Sequence, residues 1–494
     1  MEKVAVIELN ESLLRLTIFR VNGFKSEIYF SKSQNFVVGK EIGEEELLSP
    51  KTKNEVLNML KTYRMLIESY GVTTIIPVVT NVILKARNYK GFLDEIYNNT
   101  GLNFTILSDE DYMKYIFNAV VNSIDNAKGV FVHVGEFSTY LVKYNRRAVL
   151  SYAILPIGTN NATDYGKTMD EVRSYCVGKI AALPLSSEIE EDLKLVATGR
   201  SVMAIGKIAR KIQRYPLDAD NNYPLTNEVS EKTFEFIKGI DLEKIRKIKG
   251  IDFEDAGNIA NGMAIVQAVF DVLKKDEMAF STADLRSGIL QQNVLSSSQE
   301  KFSDLLTNSL ETYFEFNKDE HSINESVYNM SMILFKQLKV MHKLPRFYIK
   351  PLRIASYMFD CGKYIDRENY SRYSMEKILF SGIKGATHKE LLVAGFIAVC
   401  QNLDDFSLNE WIKYKDILTD EDLDAVRKLG IIVKLAVALN ASRKPVVTDV
   451  MCDILGDSII MKTITEKDAS FEIIEGMKIA QDYKKVYKKS LQII

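Results

Sequence analysis

Histidine and cysteine are scarce in this 494-residue chain, with four of each. Cys176, Cys361, Cys400 and Cys452 lack the paired spacing of a zinc ribbon and the density of a disulfide framework, so reduced, buried thiols are expected. Charge of one sign is also missing. The 64 Lys and Arg stand against 66 Asp and Glu, which supplies no general field for nucleic acid or an anionic membrane. Any anionic ligand must then be held by a local site. Long apolar runs are lacking as well: the opening MEKVAVIELNESLLRL interleaves charged with apolar residues, unlike a signal peptide, and no run approaches the roughly twenty apolar residues of a membrane span. A cytoplasmic protein without nucleic-acid or membrane partners is expected. The length predicts roughly three or four domain-sized units, and 46% hydrophobic residues can fill their cores.

What is present is organised around Gly129 to Tyr144, GVFVHVGEFSTYLVKY. An apolar run ends in Gly135, Ser138 and Thr139 follow, and a second apolar run begins, which predicts a strand, a tight turn and a returning strand. Such a tip can offer backbone N–H groups and hydroxyls to a phosphate, although an ordinary buried hairpin has the same pattern. Val4 to Leu9 and Leu13 to Phe19, joined by Asn10, Glu11 and Ser12, repeat the device near the N-terminus. Two such hairpins predict a duplicated two-lobed α/β architecture with a ligand cleft between the lobes, as in actin, the large heat-shock chaperones and the sugar kinases. Glu44 to Tyr70 has helical periodicity, Thr74 to Val79 reads as a strand, and Ser108 to Val120 as a helix capped by Ser108 with acids in its first turn. Arg214 to Glu228, with Pro216 and Pro224, reads as a surface loop.

At these positions the chain resembles the exopolyphosphatase and guanosine pentaphosphate phosphatase (Ppx/GppA) family. The family's D-I-G-G-G-S-T-E keeps its frame in Gly135, Ser138 and Thr139, but its metal-side Asp is His133, two glycines are Glu136 and Phe137, and the acidic end is Tyr140. Its first turn, D-x-G-S-N-S, is Glu8 to Leu13, where Glu8 could replace the Asp but Glu11 brings like charge toward a phosphate. Thr80, Ala86, Arg87 and Asn88 match T-S-A-L-R-E-A-R-N, yet the phosphate-binding arginine is Leu84, which cannot make bidentate hydrogen bonds. The glutamate taken to activate water falls on Tyr112, a phenol and a poor base at neutral pH. Leu155 to Thr159, Gly199 and Asp284 to Leu290 match structural segments. The resemblance implies phosphate contacts at Gly135, Ser138, Thr139 and Gly199, and Mg2+ only if the chain is active.

From about residue 300 the pattern turns helical, resembling the HD-like domain of long family members. His321 and Asp360 match two metal positions there, but Phe359, Tyr370 and Tyr373 stand where histidines are needed, so no complete metal site is expected. Two strands in Ala441 to Ile494, with a helix from Ala469 to Asp482, resemble a small α+β terminal domain, and Lys484, Lys485, Lys488 and Lys489 read as a solvated basic face. The expected division is 1–125 and 126–298 for the lobes, 299–440 for the HD-like domain and 441–494 for the terminal domain. Departures at Leu84, Tyr112, His133 and Tyr140 imply lost catalysis on a kept fold, with binding or regulation toward polyphosphate or a guanosine phosphate. A homodimer through the helical region is also expected. One alternative is an active phosphohydrolase with acids relocated to Glu8, Asp109, Glu110, Asp111 or Glu136, and another is a protein-binding scaffold with an empty cleft.

Overall fold

The computed structural model describes residues 1–36, 38, 42, 46–188, 190–252, 255–294, 302–317 and 323–494. They form two compact units, Met1–Gln213 with Tyr223–Asn308, and Arg214–Asn222 with Ser309–Ile494. The junction expected near 296–301 and the matched His321 lie outside the described residues.

The first unit is built on two sheets of the same design. In the first, β1 (Glu2–Leu9), β2 (Leu13–Asn22) and β3 (Lys25–Asn35) form an antiparallel meander, and β4 (Thr74–Thr80) and β5 (Thr105–Leu107) extend it in parallel, giving the order β3-β2-β1-β4-β5. The second repeats this with the meander β6 (Lys128–Val134), β7 (Thr139–Asn145) and β8 (Ala148–Leu155), then β9 (Lys194–Thr198) and β11 (Glu277–Phe280) in parallel, with β10 (Tyr223–Thr226) antiparallel at the edge. Helices cover the parallel strands, as crossover connections require. A shared core runs from Val4 and Val78 through the helices Asp109–Val121 and Leu285–Val294 to Phe131 and Val196. There the helices touch so closely that a Cβ on Gly288 would lie 2.1 Å from the Tyr115 carbonyl oxygen. The turns joining β1 to β2 and β6 to β7 therefore line one cleft.

Several sequence expectations need correction. The first long helix runs Pro50–Ser69, because Ser49 caps it through a bond from the Thr52 N–H and Pro50 supplies a preset first turn. The expected loop 214–228 contains β10 and the start of the helix Asn227–Lys238; Pro224 is tolerated because β10 is an edge strand that needs no donor on its open side. The helix Ala256–Leu273 meets the length and hydropathy of a membrane span, but 67% of it is buried, and it packs against Met169–Ala181, Arg200–Gln213 and Asn227–Lys238. Its apolar composition follows from burial on many sides.

The second unit packs the helices Asn324–Gln337, Ile349–Met358, Tyr370–Phe380, His388–Cys400 and Asp420–Ala438. A three-stranded sheet follows, ordered β12 (Val447–Ile454), β13 (Ser458–Thr465), β14 (Ser490–Ile493). The expected terminal helix is two helices, Ser470–Met477 and Ala480–Tyr487, and β14 lies just beyond the lysines that read as a basic face. Leu491 and Ile493 alternate inward there, a period too short to show beside the lysines. Phe359 is core, and Asp360 pairs with Lys363 at 3.2 Å.

Candidate functional site

Both hairpin turns are shaped by their own polar groups. In the β1–β2 turn, Asn10 Oδ1 accepts from the N–H groups of Ser12 and Leu13 at 3.0 and 2.9 Å, and Asn10 Nδ2 donates to Glu8 Oε1 at 3.0 Å. In the β6–β7 turn the Gly135 N–H donates to the Ser138 carbonyl, while the Gly135 and Glu136 carbonyls accept from Thr159 and Asn160 N–H at 3.0 and 2.7 Å. Gly199, with φ of +139°, ends β9 so close to β6 that a Cβ would lie 2.4 Å from the Val134 carbonyl oxygen. Between the turns is a cavity of about 350 Å³.

One wall of the cleft is an aromatic cluster at the matched catalytic positions. Tyr112 Oη and His133 Nε2 are 3.2 Å apart, and the rings of Tyr112, His133 and Tyr140 pack with centroids 5.5 to 5.8 Å apart. Tyr140 Oη donates to Asp109 Oδ1 at 2.9 Å. Burial pushes the His133 imidazole down to about 4, so it is neutral at pH 7. Burial, with Glu11 nearby, lifts the Tyr112 phenol well above its ordinary value, and burial with Asp109 does the same for Tyr140. These residues do not fit a divalent cation: His133 Nε2 is engaged by a phenol, and among the described residues no three His, Cys, Asp or Glu side chains group to hold a metal.

The other walls carry carboxylates and arginines. Burial raises Glu8, against the opposing pull of Arg15, whose Nη1 lies 3.9 Å from Glu8 and 3.6 Å from Asp284. Burial and the Glu136 carboxylate push Glu11 up to about 7, and burial raises Glu136 as well. Glu136 joins the lobes: it accepts from Ser12 Oγ of the β1–β2 turn and from Asn160 Nδ2, and Arg200 lies beside it at 3.8 Å.

The cleft brings together Glu8, Glu11, Asp109, Tyr112, His133, Gly135, Glu136, Ser138, Tyr140 and Gly199. Others of the sequence-matched positions lie elsewhere. Thr139 does not serve a ligand, because its hydroxyl is fully buried and donates to the Ile157 carbonyl at 2.7 Å. Leu84 is exposed and outside the cleft wall, and Arg87 pairs with Glu46. Glu110 is exposed, and Asp111 closes the Ser108 cap at 3.0 Å, which leaves Glu8, Asp109 and Glu136 as the relocated acids that reach the cleft. Sequence reasoning missed Lys85 and Arg200 in the wall; a basic residue directly after the Gly199 turn was the available signal for Arg200.

A model of the Ppx/GppA phosphatase family matches residues 17–297. The chain is similar to the crystal structure of the Aquifex aeolicus Ppx/GppA family member, with 26% identity, a TM-score of 0.53, and 60% of this chain and 98% of that one covered. It is also similar in fold to an exopolyphosphatase from Cytophaga hutchinsonii, with 14% identity, a TM-score of 0.54, and 59% and 98% covered. Among curated proteins none matches. The fold is the actin-like two-lobed one these structures share, and the family match spans more than half of the sequence: the chain belongs to the Ppx/GppA phosphatase family.

Proposed function

We propose that this chain has kept the family's cleft and lost its hydrolysis, and that it works as a binding or regulatory protein toward a phosphate-containing ligand such as polyphosphate or a guanosine phosphate. The observation that carries this reading is the hydrogen bond between Tyr112 and His133. Phosphoryl transfer needs charge neutralisation at the phosphate and a group that orients the nucleophile. A buried phenol lifted above its ordinary range holds its proton at neutral pH, and a neutral imidazole bonded to it contributes no charge. Ser138 and the Gly135 and Gly199 turns still line the cleft, which supports a retained binding role. The protein is further proposed to act as a homodimer through its helical unit.

The test is phosphate release from polyphosphate and from guanosine pentaphosphate with Mg2+ present. No turnover above background is expected. Release at about 1 to 10 per second, a typical enzyme rate, that disappears in Glu8→Gln or Asp109→Asn would favour the relocated-acid alternative instead.

A further inference from the structure

Glu136 sits at the tip of the β6–β7 turn, and donors from both lobes converge on its carboxylate. Oε1 accepts from Ser12 Oγ and lies 3.8 Å from Arg200 Nη1, while Oε2 accepts from Asn160 Nδ2 at 3.0 Å. Arg200 Nη1 also donates to Ser12 Oγ at 3.2 Å, and its Nη2 is held by Asp255 Oδ1 at 2.6 Å. Arg200 is the first residue of the 14-residue helix Arg200–Gln213, which fixes the base of its side chain. A hydroxyl, an amide and a guanidinium form a set that suits an oxyanion with several oxygens. Here the protein's own carboxylate fills it.

Two cavities meet at Arg200. The cleft of about 350 Å³ and a neighbouring cavity of about 560 Å³ share Leu13, Arg15, Arg200, Met203 and Asp255 in their walls. The second cavity adds Lys207 and the polar Ser33, Gln34 and Asn35. Glu136, tied to Ser12 across the lobes, lines the first cavity and lies 3.8 Å from Arg200, which lines both.

We infer that Ser12, Asn160 and Arg200 form a phosphate-binding site whose resident occupant is the Glu136 carboxylate, so that a ligand's phosphate binds only by displacing it. This rests on reading the cleft as a binding cleft. While Glu136 is in place an incoming anion meets like charge and finds its donors taken. Displacement also breaks the Ser12–Glu136 bond and leaves Arg200 Nη1 as the second-lobe partner of Ser12, which couples occupancy to the link between the lobes.

The experiment is calorimetric titration of inorganic tripolyphosphate into the full chain and into Glu136→Gln and Glu136→Gly, with circular dichroism confirming the fold of each. Glu136→Gln removes the charge at nearly constant shape, and Glu136→Gly also vacates the site. Glu136→Gly is expected to bind about tenfold or more tighter than the parent, with Glu136→Gln between them. Adding Arg200→Ala to Glu136→Gly should cancel the gain. Equal affinity in parent, Gln and Gly forms, or a gain that survives Arg200→Ala, overturns the inference. Should the glycine form fail to fold, parent against Glu136→Gln decides in the same way. Phosphate hydrolysis by the parent would strike the catalytic reading alone and leave this one standing.

Discussion

Tyr112 Oη faces His133 Nε2 at 3.2 Å, and both residues occupy positions where the Ppx/GppA resemblance places acidic groups. A phenol and a neutral imidazole bond to one another without net charge, so the pair adds no charge to this wall of the cleft.

Breaking this pair has a graded outcome. Tyr112→Phe leaves the His133 bond unmade and should cost about 0.5–1.5 kcal/mol in urea unfolding. Tyr112→Glu restores the family's residue type but sets a carboxylate among Glu8, Glu11 and Glu136, whose charges already weigh on this position. It should cost more than the Phe form, and phosphate release should stay at background. Measurable hydrolysis by the glutamate form would mean that one residue had silenced the enzyme, against the view that the whole wall was rebuilt.

The turn at Gly199 gives a backbone test. Its φ of +139° and the 2.4 Å approach of a Cβ to the Val134 carbonyl leave Gly199→Ala no room unless β6 moves, and a loss of about 2–4 kcal/mol is expected. Gly178→Ala is the control, since it is exposed in the helix Met169–Ala181 with no atom within 4 Å of the new Cβ. It should be neutral or stabilise by about 0.5–1 kcal/mol. Equal melting temperatures for the two variants would show that the Gly199 turn relaxes freely.

The hairpins were legible because Asn10 to Ser12 and Gly135 to Ser138 interrupt apolar runs at turn spacing, and the family resemblance carried the two-lobed fold with them. Thr139 was misread because it begins β7, where its side chain faces the core, though it adjoins a turn rich in ligand-type residues. The Glu136 bridge could not be read, since Ser12 and Arg200 lie 124 and 188 positions from their partners and meet only when the lobes are folded. β10 and β14 were hidden by Pro224 and by the lysine run, signals that normally mark loops and solvated faces.

The proposed homodimer is tested by light scattering. Phe471 and Ile474 are 53% and 58% exposed on the helix Ser470–Met477, an arrangement that suits a partner surface. A mass of about 112 kDa, twice the 56.2 kDa chain, is expected at micromolar concentration, where an interface of standard size holds. A mass near 56.2 kDa throughout would remove the dimer.

The cleft also sets two opposed pH dependences. His133 is held down to about 4 by burial, below its ordinary 6.5, so the unfolded chain binds the extra proton between these values. Its stabilising contribution is present above pH 6.5 and is lost as pH falls toward 4. Glu11 is held up to about 7 by burial and the Glu136 carboxylate, above its ordinary 4.5, so the folded chain holds the extra proton. That contribution is present below pH 4.5 and is lost as pH rises toward 7, and the raised Glu8 and Glu136 act in the same sense. Each group can tilt stability by at most about 1.4 kcal/mol per pH unit. Measured by urea unfolding from pH 4 to 7, His133→Phe should remove a rising component, so that stability falls more steeply with pH than in the parent. Glu11→Gln should do the opposite. Parallel profiles for parent and variants would show that neither group is held away from its ordinary protonation in the folded cleft.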